Sequence, residues 1–225
     1  MEKMPYQSHL DSTPTLTLPL TMLQTPSVVT NDWRTGLPEL TGSLVSLREM
    51  RASDAPALFS ALSSEQVSKF ISPPPATVDG FGRFIKWAIR QREAGQYVCF
   101  AIVPHGSDTA IGIFQVRSLE PAFGTAEWGF ALASEFWGTG IFSDGAKLVV
   151  DFAFEVLGVH RLEARAALKN GRGNGALRKL GAVQEGVLRR SFERNGEYLD
   201  QALWTILQDE WTLQAKTVWG SPVIH

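Results

Sequence analysis

Two glycines one residue apart, Gly138 and Gly140 in Glu135-Phe136-Trp137-Gly138-Thr139-Gly140, stand directly ahead of a run with helical periodicity. This junction restricts the fold more than any other stretch of the chain. From 141 to 157, Phe142, Ala146, Val149, Val150, Phe152, Ala153, Val156 and Leu157 form an apolar stripe with a period near 3.6, and Asp144, Lys147, Asp151 and Glu155 are mostly left for solvent. Glycines at a helix entry let the backbone bend tightly and aim its free N–H groups at one point, which suits a pyrophosphate. A nucleoside-triphosphate loop of the Walker type is excluded, because Ile141-Phe142 stand where a lysine and a Ser/Thr would be required, and the dinucleotide pattern GxGxxG is absent.

Downstream of that helix the pattern predicts a strand over 161–168, then Asn170, a short helix over 174–180 with Lys179 near its end, and Gly181. Upstream, strands are expected at 44–48, 97–103, 110–118 and 125–132. Ser53-Asp54-Ala55-Pro56 reads as a helix start with a capping side chain, and Phe81, Phe84, Ile85, Ala88 and Ile89 mark a second helix beyond Pro73-Pro74-Pro75. Strands at 183–192 and 198–207 flank the tight turn Asn195-Gly196. Antiparallel strands, a helical crossover and a closing hairpin make a mixed α/β domain. Residues 1–40, rich in Thr, Pro, Ser and Leu without periodicity, read as a mobile or surface-draped extension; the domain proper is expected over 41–211, with 212–225 as a tail.

The 225 residues suffice for one domain with a sizeable core, at 44% hydrophobic and 20% charged composition. A net charge of -2 and no Lys/Arg run argue against a nucleic-acid partner. No apolar stretch approaches the roughly 18 residues of a membrane span, and the N-terminus lacks a basic targeting pattern, so a cytoplasmic protein without a membrane partner is expected. The single cysteine, Cys99, sits in Tyr97-Val98-Cys99-Phe100-Ala101-Ile102-Val103 and reads as a buried strand residue. His105 and His225 have no metal-ligand spacing, His160 reads as structural, and no metal is expected.

The series Trp137-Gly138-Thr139-Gly140, Phe152-Ala153-Phe154-Glu155, His160-Arg161-Leu162-Glu163-Ala164 and Asn170 followed by Lys179-Leu180-Gly181-Ala182 resembles the GCN5-related N-acetyltransferase (GNAT) superfamily. Within it the likeness is nearest to ribosomal-protein N-acetyltransferases of the RimJ/RimL type. It extends to Leu44–Arg48, Ile111-Gly112, Glu127-Trp128-Gly129-Phe130, Glu185–Arg189, Asp200 and Trp211, about residues 40 to 211. The resemblance implies a central, mostly antiparallel twisted sheet of six to seven strands with about four helices, splayed where acetyl-CoA binds.

It further implies direct transfer of an acetyl group from acetyl-CoA, the co-substrate, to a primary amine. The backbone of Ala131 and Leu132 would bind the pantetheine arm, with an N–H near Ala131 polarising the thioester carbonyl. Trp137, Gly138, Thr139, Gly140, Ile141 and Phe142 would take the pyrophosphate. Asn170 would bond the pantetheine amide or cap its helix, and Gly173 would lie at the same contact, where the family usually carries Ser. Glu127 would be the general base, its alternative being a cross-strand ion pair, and Trp128 would be core. No tyrosine occurs in 171–182 to protonate the departing thiolate, leaving Tyr198 as a downstream candidate. A protein N-terminal α-amine is the expected acceptor, against a small amine such as an antibiotic or polyamine, or an acyl-CoA-binding module without turnover. Oligomeric state stays open, a homodimer among the alternatives.

Overall fold

The computed structural model describes residues 32–219. Eight strands form one sheet: β1 (Leu40–Thr41), β2 (Val45–Glu49), β3 (Tyr97–Pro104), β4 (Gly112–Ser118), β5 (Thr125–Leu132), β6 (Arg161–Ala167), β7 (Val183–Arg194) and β8 (Glu197–Leu207). Their order is β1-β2-β3-β4-β5-β6-β8-β7, and every neighbouring pair is antiparallel except β5 with β6. The helices are α1 (Ala55–Leu62), α2 (Glu65–Ser68), α3 (Val78–Glu93), α4 (Ile141–Glu155), α5 (Gly171–Leu180) and α6 (Gln208–Trp219). The strands and helices beyond those expected include β1 and α2, two and four residues long, too short to show a period in sequence.

β3 is apolar along its length because both faces of the sheet are covered there. Leu58 and Leu62 of α1 and Phe81 and Ile85 of α3 pack with Cys99 and Ala101 on one face. Val149, Val150 and Phe152 of α4 and Leu177 of α5 pack with Phe100, Phe114 and Trp128 on the other. Alternation along β5 then sends Ala126 and Trp128 into the α4 core and Ala131 to the α1/α3 side. Burial pushes the Cys99 thiol up to about 12, so it stays protonated inside the core at neutral pH.

The parallel pairing of β5 and β6 is short. It runs from Thr125↔Arg161 to Glu127↔Glu163, after which β5 continues to Leu132 and β6 to Ala167 without pairing to each other. The expected splay is therefore a gap between two strands whose outer edges stay bonded to β4 and β8.

Four local expectations change. Trp33 is buried edge-on to Phe123 at 5.6 Å, and Arg92 donates to the Trp33 carbonyl at 3.5 Å, so the packed chain begins before residue 40; residues 1–31 of the expected extension lie outside the described residues. At the other end α6 continues past 212, with Trp211 Nε1 donating to Asp151 Oδ1 at 2.6 Å. Asp54 does not cap α1. Its carboxylate accepts from Arg48 Nη1 and Nη2 at 2.8 and 2.9 Å and from the Arg51 N–H at 2.7 Å. Burial raises its pKa, but these bonds outweigh burial and hold it below the usual carboxylate range. Asp144 and Asp151 are not left to solvent; Asp144 accepts the backbone N–H groups of Ser43, Leu44 and Val45 at 3.0, 2.8 and 3.2 Å, joining the β1–β2 turn to α4.

Candidate active site

A cavity of about 830 Å³ opens at the gap. Its walls are Phe130, Ala131 and Leu132 of β5, the glycine turn with Phe142 and Ser143, the start of α5, and the α2 segment from Glu65 to Ile71. Eight of the residues expected to hold the co-substrate line it: Ala131, Leu132, Trp137, Gly138, Gly140, Phe142, Asn170 and Gly173. Thr139 and Ile141 do not. Thr139 Oγ1 donates to the Phe136 carbonyl at 2.8 Å, closing the turn from within, and Ile141 is buried in the core as the first residue of α4.

Gly138 and Gly140 have φ of 79° and 93°, left-handed values that side-chain-bearing residues adopt at a cost. A Cβ at Gly138 would meet nothing within 4 Å, and one at Gly140 would meet Leu44 Cδ1 at 3.2 Å. The demand at 138 is thus conformational, and at 140 it is conformational and steric. The turn hands its free N–H groups to the N-terminus of α4, beside the open gap.

The peptide groups facing the gap differ from those expected. Ala131 pairs with Ile113 of β4, Ala133 N–H donates to the Ile111 carbonyl, and a Cβ on Gly112 would come within 2.4 Å of the Ala131 oxygen. Strand alternation therefore turns the backbone of Ala131 to β4 and that of Phe130 and Leu132 into the gap. The Leu132 carbonyl is already taken by Trp137 Nε1 at 2.9 Å. The Phe130 peptide group and the Leu132 N–H remain to face a ligand.

Asn170 is the N-cap of α5, its Oδ1 accepting from Gly173 N–H at 2.9 Å. A Cβ at Gly173 would lie 2.5 Å from Asn170 Nδ2, so the glycine is what lets the asparagine fold over the helix end in this way. A serine at this position would displace that side chain. Arg172 lies over the Trp137 ring at 4.2 Å, joining the α5 wall to the glycine turn.

Glu127 is outside the cavity lining. It lies opposite Arg117 on β4, whose Nη2 donates to Glu127 Oε2, and Arg165 Nε is 3.9 Å from the other oxygen. Trp128 is 3% exposed in the core, and Tyr198 is 65% exposed. Sequence reading missed the α2 wall, including Glu65, Lys69 and Phe70; a four-residue helix between loops carries no periodic signal.

The fit to acetyl-CoA rests on the charge and shape of this cleft. Lys69, Arg172 and Lys179 line it against one carboxylate, Glu65. That excess of positive charge, with left-handed glycines at a helix N-terminus and a strand edge with unpaired peptide groups, suits an extended ligand carrying phosphates at one end and amides along its arm. Among the described residues no group of three or more His, Cys, Asp or Glu side chains could hold a metal ion, and no helix is long and apolar enough to cross a membrane.

A mixed sheet splayed beside an anion-cradling helix entry defines a class of protein that holds an extended, phosphate-bearing ligand. A model of the acetyltransferase (GNAT) domain matches residues 45–183, more than half of the chain. The chain belongs to this family and is an acetyl-CoA-dependent N-acetyltransferase. It is 27% identical over 168 residues to the uncharacterized N-acetyltransferase p20 of Bacillus licheniformis, covering 74% of this chain and 94% of that one. It is 28% identical over 106 residues to spermidine N(1)-acetyltransferase of Escherichia coli K12, covering 47% of this chain and 57% of that one. Mycobacterium smegmatis RimJ in complex with CoA-disulfide shares the fold, with a TM-score of 0.70 at 22% identity over 76% of this chain and 88% of that one. The relatives do not single out the RimJ/RimL type.

Proposed function

We infer that the acceptor is a lone amine, foremost the α-amine of a protein or peptide N-terminus. The observation that carries this is the charge of the cavity, three cations against one carboxylate. The cations of α5 serve the phosphate-bearing co-substrate, which leaves Lys69 and the single carboxylate Glu65 on the α2 wall, and a polyamine would bring several positive charges to a wall with one counter-charge.

Proton arithmetic points the same way. At pH 7 a lysine amine of pKa about 10.4 costs about 4.6 kcal/mol to deprotonate, and an α-amine near 7.8 only about 1.1 kcal/mol. Glu127 stands four residues before Ala131 on β5, about 13 Å along an extended strand. A carboxylate at that distance takes a proton only through intervening water, which suffices for an α-amine and serves a lysine poorly.

Acetyl-CoA supplies an acetyl thioester whose thiolate, of pKa about 8.5, leaves with little help. The N–H groups of Phe130 and Leu132 are the donors available to a carbonyl oxygen in the gap. The glycine turn and the cations of α5 hold the phosphate end, fixing the reach of the arm along β5. As the amine nitrogen bonds to the acetyl carbon and the C–S bond breaks, the amine proton passes through solvent to Glu127. No covalent enzyme intermediate is needed.

The test is thiol release from acetyl-CoA with a panel of amines. Peptides starting with Ser, Ala or Thr are expected to outpace N-blocked lysine peptides, spermidine and aminoglycosides. Faster transfer to any of the latter would overturn the acceptor assignment and leave the acetyltransferase standing.

A further inference from the structure

The α2 segment is a full wall of the cavity yet is weakly built in. Of α2 itself only Val67 and Ser68 are buried. Its N-cap, Ser64 Oγ accepting from Val67 N–H at 3.4 Å, is internal. Among the described residues the backbone bonds of 64–71 also stay within the segment: Ser68 to Ser64, Lys69 to Glu65, Ile71 to Ser68. Among the described residues one hydrogen bond leaves it. Arg194 Nη2, from the end of β7, donates to the Ser68 carbonyl at 3.0 Å across 126 residues of sequence.

Arg194 sits at the Asn195-Gly196 turn of the β7–β8 hairpin. Three residues on, Glu197 pairs with Lys169 Nζ at 2.6 Å, and Lys169 precedes Asn170, the cap of α5 and itself part of the lining. The hairpin end therefore touches two sides of the cavity, α2 through Arg194 and the α5 entry through Glu197. The two ties are unequal. Lys169 and Glu197 are 63% and 62% exposed, so their pair is solvent-screened, whereas Arg194 is part-buried and its Nε is sheltered from water without a partner. Losing the Ser68 bond would leave a second donor of this part-buried guanidinium unpaired, which disfavours its release.

We propose that Arg194 is a positioning residue for the acceptor: by tying the hairpin end to Ser68 it fixes the α2 wall, and with it Glu65, Lys69 and Phe70, at the width an amine-bearing chain requires. The co-substrate is held elsewhere, by the glycine turn, β5 and α5, so the tie acts on one substrate and not the other. This rests on the acetyltransferase reading of the cavity but on no particular acceptor.

Arg194→Ala and Arg194→Lys are compared with wild type by steady-state kinetics, using whichever amine of the panel is acetylated fastest, and by amide hydrogen exchange on the free protein. For Arg194→Ala the acceptor KM is expected to rise about tenfold, with kcat and acetyl-CoA affinity changed by less than about twofold. Exchange over 65–71 should quicken, while that over α4 holds. Arg194→Lys, which keeps a cationic donor at this position, should recover most of the acceptor KM. Three results overturn the proposal: an unchanged acceptor KM, whether or not exchange quickens; an equal loss of acceptor and acetyl-CoA affinity with a fall in melting temperature; or no recovery by lysine. A wrong acceptor class would show in the amine panel and leave the exchange result untouched.

Discussion

The two sides of the cavity are built in opposite ways. The co-substrate side is two short stretches, 130–143 and 170–179, in which each residue's role follows from its neighbours in sequence: a strand edge, two left-handed glycines, a helix entry, a capped second helix. The side proposed for the acceptor is assembled from α2 and the hairpin end, which lie more than a hundred residues apart and meet through Arg194. A local device can be recognised as a pattern, whereas an assembled one exists only once the chain is folded. The contrast also has a chemical sense: a fixed co-substrate permits a fixed local pattern, and the variable partner falls to the side held by few contacts.

The co-substrate side is not self-sufficient, and the predictions probe how local it is. The largest effect is expected at Trp33, which is outside the cavity lining. Trp33→Ala should cost about 3 kcal/mol of unfolding free energy in a urea titration, since it deletes a buried ring packed on Phe123; an unchanged midpoint would return residues up to 40 to the status of an extension. Next is Glu127→Gln, expected to lower kcat about 100-fold with acetyl-CoA affinity retained. Turnover near wild type would make the ion pair with Arg117 its whole role and leave the acceptor side without a base from β5.

Asp144→Ala should lower stability by about 2 kcal/mol, because three backbone N–H groups of the β1–β2 turn lose their acceptor. It should also weaken acetyl-CoA binding, as Leu44 from that turn stands against Gly140. Affinity unchanged in a destabilised variant would show the glycine turn to be independent of its support. The smallest effect is at Gly140 itself. Gly140→Val should weaken acetyl-CoA binding about tenfold by calorimetry, about 1.4 kcal/mol, through the left-handed φ and the contact with Leu44. A folded Gly140→Val variant of full affinity would refute the phosphate assignment of the turn.

Reading Asn170 from sequence left cap and ligand contact open; its Oδ1 caps α5, because Gly173 leaves room for the side chain to turn back, and the residue also lines the cavity. Ala131 was expected to offer its backbone to the arm. The register with Ile113 gives that role to Phe130 and Leu132, since a shift of one residue in a strand exchanges the edges to which its peptide groups point. Asp144 and Asp151 looked like the solvent face of an amphipathic helix; only the arrival of the β1–β2 turn and of Trp211 reveals them as acceptors.

By itself the sequence determined the mixed sheet and the glycine turn ahead of its helix, because periodicity, turn chemistry and helix entries are fixed by neighbours a few residues apart; the likeness of its motifs to the family added the splay, acetyl-CoA and eight of the residues that line the cavity. Tertiary structure alone decided the α2 wall, the pairing of Glu127 with Arg117, the outward-facing peptides of Phe130 and Leu132 and the reach of Arg194 to Ser68. Those depend on register and on contacts between distant segments, which only the closing of the sheet brings within hydrogen-bond range.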